Sequence, residues 1–150
     1  MDWVLITEAD AKAAFTEYEW TALTDTARAT GASALITTTI SRVVNRVRGY
    51  VESCDENQLG AAGYVPALLY DSTQVLLLQA LCNSFPAAGI MLDEGRRERI
   101  KAAETEMKMV ARCELRISPP GSGQEVAADS PAADGGSYGG ACAVDFTGIR

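Results

Sequence analysis

Apolar residues recur at three- and four-residue steps through the middle of the chain. Leu35, Ile36, Ile40, Val43, Val44, Val47, Tyr50, Val51 and Cys54 share one face of a helix running from Ala32 or Ser33 to about Ser53. Thr38, Arg42, Asn45, Arg46 and Arg48-Gly49 take the opposite face. A strand reading fails here because the period is not two. Upstream, Thr7-Glu8-Ala9-Asp10 has the form of a helix start, a threonine cap followed by acidic first-turn residues. It predicts a short helix from Glu8 to about Phe15. A second, from Glu17 to Ala29, carries Tyr18, Trp20, Leu23 and Ala27 as its apolar marks and ends at Gly31.

After a polar, glycine-bearing loop over 55–64, Val65-Pro66 is expected to open a third long helix, with Pro66 in its first turn. Leu68, Leu69, Val75, Leu76, Leu77, Leu78, Leu81 and Cys82 make that helix apolar on most sides, so it is expected at the centre of the core. Phe85-Pro86-Ala87-Ala88-Gly89 breaks it. A last helix begins near Leu92 or Asp93, charged early and striped by Ile100, Ala103, Met107, Val110 and Ala111, and ends near Cys113 to Leu115. The pattern predicts an all-α fold: a bundle of about four helices over residues 1–117, with an extended C-terminal tail over 118–150.

The tail differs in kind. Its 33 positions hold seven Gly, three Pro, six Ala and four Ser. Such a stretch buries too little apolar area to offset an ordering entropy of ~1–2 kcal/mol per residue. Alone it is expected to be disordered, and the surface expected to order it is a neighbouring subunit. Tyr138, Val144, Phe146 and Ile149 are its larger apolar beads, and Ala141–Ile149 alternates in part, as a strand added to a neighbour's edge would.

Charge narrows the function classes. The net charge is −7 with no histidine, spread as −2 over residues 1–54, −2 over 55–113 and −3 over 114–150. No region is basic overall, which argues against a monomer gripping nucleic acid through phosphate contacts. It leaves room for a protein that surrounds DNA without gripping it. Arg42 and Arg46, four apart on one helix face, read first as a solvated face paired with nearby acids, and next as candidates for contact with a neighbour's Asp or Glu. Local pairing at three-residue spacing is expected for Glu94 with Arg97 and Glu98 with Lys101. Trp3 and Trp20 read as core or staple residues.

Chemistry-bearing constellations are missing. Without histidine there is no Ser-His-Asp or Cys-His arrangement and no usual transition-metal set. No phosphate-cradling loop occurs, and Gly135–Gly140 lacks the strand-then-helix context a nucleotide fingerprint needs. Neither catalysis nor a cofactor is expected. Cys54, Cys82, Cys113 and Cys142 match no zinc or redox spacing and read as small core residues of a reducing compartment. No apolar run approaches the ~20 residues of a membrane span. The start Met1-Asp2-Trp3 lacks a signal peptide's basic and apolar stretches, so the product is expected to remain in the cytoplasm where it is made.

The order of elements resembles a known family. A helix ending in Arg48-Gly49-Tyr50-Val51 is followed by a loop with Leu59-Gly60. Val65-Pro66 then leads into a Leu-rich helix, and Glu94-Gly95-Arg96-Arg97-Glu98-Arg99-Ile100 heads a last helix. Over residues 5–117 this is similar to the head-completion, or head-to-tail connector, proteins of tailed bacteriophages, in particular the Mu-like branch. The resemblance implies a structural virion protein made in the host cytoplasm. It would form a ring, commonly of twelve copies, between the portal protein and the tail or stopper proteins. The ring would enclose double-stranded DNA without reading its sequence. The alternative is a helix-turn-helix DNA-binding regulator or packaging factor, with Arg42 and Arg46 facing a groove.

Overall fold

A computed structural model describes residues 2–121 of the chain. Tyr138, Val144, Phe146 and Ile149 lie outside the described residues. Strand β1 (Trp3–Leu5) opens the fold, followed by α1 (Glu8–Ala13), α2 (Glu17–Ala29), α3 (Ser33–Glu52), β2 (Tyr64–Pro66), α4 (Tyr70–Ser84) and α5 (Glu94–Ala111). Single 3-10 turns at Ala67–Leu69 and Pro86–Ala88 flank α4. Among the described residues the fold is all-α, with five helices, apart from one two-stranded ribbon.

The core forms where α3, α4 and α5 pack on one another, with α1 and α2 laid against them. Ile36, Ile40, Val43, Val44, Val47 and Val51 of α3 are buried together, as the three-and-four spacing requires. Leu76, Leu77, Leu78, Leu81 and Cys82 bury α4 on several sides, which makes it the central helix. Its one fully buried hydroxyl, Thr73, donates back to the Leu69 carbonyl at 2.7 Å, so the core keeps no orphaned polar group there. On α5, Ile100, Ala103, Met107 and Val110 form the buried stripe. Trp3 and Trp20 are both buried.

Capping explains several helix ends. The backbone N–H and the hydroxyl of Thr7 donate to Asp10 at 2.7 and 2.6 Å, and the N–H of Thr16 donates to Glu19 at 2.9 Å. Asp93 accepts from the Arg96 N–H at 2.7 Å to start α5. Gly31, at φ +68°, closes α2 in the left-handed conformation that glycine adopts without penalty.

Four expectations need correction. Val65-Pro66 does not open a helix; it pairs antiparallel with β1, Val4 opposite Val65 and Trp3 opposite Pro66. A residue before proline is held in the extended region, so helix begins only after Pro66. Helix α1 stops at Ala13 instead of Phe15; Phe15 turns inward beside Trp20, ring centroids 5.8 Å apart. Tyr18 is not an apolar contact of α2, being 84% exposed.

The fourth correction concerns the cysteines. Cys54 and Cys113 are not reduced core residues: they form a disulfide, with Cα atoms 5.3 Å apart. Each follows the end of its helix by two residues, α3 ending at Glu52 and α5 at Ala111. Packing of α3 on α5 brings these two ends together, so fold geometry makes the pair and no short sequence motif records it. Cys82 is buried and free, and burial pushes its thiol pKa up.

Candidate assembly surface

Two features of the described residues bear on function: the root of the C-terminal arm, and the exposed arginine face of α3. At the root, α5 ends in a left-handed turn. The Glu114 N–H donates to Met109 O at 2.9 Å and the Cys113 N–H to Val110 O at 3.0 Å, with Cys113 itself at φ +60°. The chain then runs along the loop after α3. Asn57 fastens the crossing: its Nδ2 donates to the Val51 carbonyl at 3.2 Å, and its Oδ1 accepts the Ile117 N–H at 3.3 Å. Ile117 is buried, and Trp3 Nε1 donates to the Ser118 carbonyl at 3.2 Å. Arg116 reaches Glu56 at 3.2 Å on the surface. The arm therefore takes off beside β1, at the end of the bundle where α3 and α5 finish. Ile117 is thus packed against the domain, while Ser118 is exposed and held only through its carbonyl.

Arg42 and Arg46 lie on the exposed side of α3, as their spacing predicts. They line an open groove of about 400 Å³ with Gln79 and Asn83 of α4 and Glu104 of α5. Among the described residues neither arginine closes an ion pair. Arg46 lies over the Tyr50 ring, 5.9 Å from its centroid, and its Nη2 donates to the Tyr50 hydroxyl at 3.5 Å. Among the described residues both are exposed cations without an ion-pair partner, on a chain with an acidic balance.

Arg48 has a different task. Its guanidinium donates to the carbonyls of Ala61 at 2.7 Å, Tyr64 at 2.8 Å and Gly60 at 2.9 Å. It ties the loop before β2 to α3, and burial draws its pKa down from the usual arginine value. No sequence pattern marks this role, because the three carbonyls converge on Arg48 only once the loop is folded.

Arg96 also departs from local pairing. It makes a two-pronged bond to Glu19, at 2.7 and 2.9 Å, and also donates to Met91 O at 3.1 Å. This joins α2, the loop before α5 and α5 itself. The Arg96 guanidinium holds the Glu19 carboxyl well below the usual range, at about 2. A second network seats α1 on α4: the Tyr70 hydroxyl donates to Asp10 at 2.6 Å and Gln74 donates to the Asp10 carbonyl at 3.2 Å. Burial opposes ionisation of Asp10, but bonds from Thr7 and Tyr70 prevail and hold its pKa below the usual value.

Among the described residues, no group of three metal-ligating side chains converges, and no helix is long and apolar enough to cross a membrane. No family model, characterised protein or solved structure matches the chain.

Proposed function

We propose that this chain is a structural subunit of a ring joining the portal of a tailed bacteriophage to its tail. The ring extends the DNA channel and completes the head, and the subunit performs no reaction. The observation carrying this reading is the pairing of two complementary features on one molecule. Arg42 and Arg46 stand on an exposed helix face and close no ion pair among the described residues. The 29 residues after Gly121 bear Glu125, Asp129, Asp134 and Asp145 against a single Arg150, with Tyr138 and Phe146 as aromatic anchors.

A closed ring needs two different surfaces on each subunit, one meeting the other on the next copy. The arm is one such surface and the arginine groove is the other. The reach suffices: 29 extended residues span up to roughly 100 Å, and a 120-residue domain is only about 35–40 Å across. An acidic balance suits a channel through which DNA slides without sticking.

The helix-turn-helix alternative is less well served. A recognition helix meets bases mainly through its N-terminal residues. In α3 the early exposed positions are Ser33, Ala34, Thr37 and Thr38, and the arginines come later.

Reversing both charges, Arg42→Glu with Arg46→Glu, tests the reading. Light scattering should find that the wild-type chain forms rings, alone or on portal particles, and that the double variant does not. A wild-type monomer that retards duplex DNA at moderate salt, and loses that activity in the double variant, would overturn the ring in favour of the DNA-binding reading.

A further inference from the structure

We propose that the Cys54–Cys113 pair is a redox clamp on the root of the C-terminal arm, closed as a disulfide and open as a dithiol. This does not depend on the ring reading; it concerns how one subunit presents its own arm.

Three observations lead to it. First, the bond lies where the arm leaves the domain. Cys113 is the first residue past the α5 cap, and four residues later Ile117 is already held by Asn57. Second, the same root is fastened without the bond, by Asn57, by buried Ile117 and by Trp3 on Ser118. The disulfide is thus added to a root that already has a docked geometry, and what it contributes is resistance to peeling. Third, Cys113 occupies a left-handed position, φ +60°, where glycine would sit with less strain. A non-glycine residue persists at such a position when the surroundings over-determine it, and the covalent partner supplies that constraint.

Accessibility sets the chemistry. Cys113 is exposed and Cys54 is buried. In closing, the Cys113 thiolate attacks one sulfur of a small-molecule disulfide of the glutathione class and expels one thiolate. The Cys54 thiolate then attacks Cys113 Sγ in the mixed disulfide and expels the second. Two protein thiols become one disulfide, one small disulfide becomes two thiols, and the two protons released by the cysteines end on the departing thiolates. Opening is the reverse, with the exposed Cys113 side as the point of access. A reducing cytoplasm favours the open form and an oxidising exterior the closed one.

Trypsin reads the difference on the full-length chain. Arg116 is largely exposed, and the bond it would lose, to Ile117, is the one the clamp holds down. Arg42, in the middle of α3, reports global opening. Protein oxidised with glutathione disulfide is compared with protein reduced and then freed of reductant under argon, and a non-reducing peptide map identifies the bond. The expected result is a Cys54–Cys113 cross-link and cleavage after Arg116 at least tenfold faster in the dithiol form, ahead of any cut after Arg42. The double variant Cys54→Ser with Cys113→Ser should match the dithiol form under both conditions. Equal rates at Arg116 in the two forms would overturn the clamp. So would simultaneous cutting at Arg116 and Arg42, a cross-link from Cys113 to Cys142, or redox sensitivity retained by the double variant.

Discussion

Replacing Glu19 by Gln removes one charge from the bond that joins α2 to α5 and keeps the side chain's shape. The Glu19 carboxyl ordinarily titrates near 4.5 and here is held down to about 2 by the Arg96 guanidinium. That difference corresponds to about 3 kcal/mol of native-state stabilisation at ~1.36 kcal/mol per pH unit. Both side chains are about a fifth exposed, 22% for Arg96 and 19% for Glu19, so solvent screens part of the interaction. A loss of about 2–3 kcal/mol at pH 7 is expected, short of the ~3–5 kcal/mol seen when a fully buried pair is broken. The pH dependence has a definite sign. A carboxyl whose folded pKa is depressed contributes fully above its unfolded value, near 4.5, and loses that contribution as pH falls toward about 2. Urea unfolding of wild type and Glu19→Gln should therefore differ by roughly 1–2 M in midpoint at pH 7. The gap should narrow below pH 4.5 and nearly vanish near pH 2. A gap under ~0.5 kcal/mol at pH 7, or one of constant size across that range, would refute the assignment of the pair as the tie between α2 and α5.

Other parts of the fold give sharp expectations. Opening the Cys54–Cys113 bond, which spans 59 residues, should lower stability by about 4 kcal/mol on loop-closure entropy, read as a fall of roughly 15 °C in Tm on reduction. Leu78→Asp should abolish folding, seen as loss of the helical circular dichroism signal, because it places an unpaired charge in the buried face of α4. Arg48→Met should leave the helices intact and cost about 2–4 kcal/mol as three carbonyls lose a charged donor; faster amide exchange confined to 60–64 would mark the site. Tyr70→Phe should cost about 1–2 kcal/mol through the bond to Asp10, and its effect should shrink in acid as Asp10 protonates.

The parts of the structure legible in the sequence are those set by local periodicity. Helix α3 could be read because its apolar residues repeat over five turns, and α4 because a leucine run bounded by Pro66 and Pro86 leaves little choice. The ribbon could not be read in the same way. Trp3–Leu5 and Tyr64–Pro66 are three residues each, too short for a period, and exist because the tertiary fold brings them together. The same holds for the pairs that fasten the bundle: Glu19 and Arg96 are 77 residues apart, and Asn57 and Ile117 are 60 apart. Cys54 and Cys113 offered only one clue, that each lies at or beside an expected helix end, about Ser53 for one and Cys113 to Leu115 for the other. Of the residues proposed for assembly, Arg42 and Arg46 emerged from helical spacing alone, whereas the groove around them needed α4 and α5 in place.

The central claim is that the polypeptide beyond Gly121 links sister subunits. Its most direct test is the mass, by light scattering, of the full chain and of a chain ending at Gly121, each with and without portal particles. The account requires a ring-sized species from the full chain only, with matching circular dichroism for the two. A shortened chain that assembles equally well, or a full chain that stays monomeric even on portal particles, would contradict it.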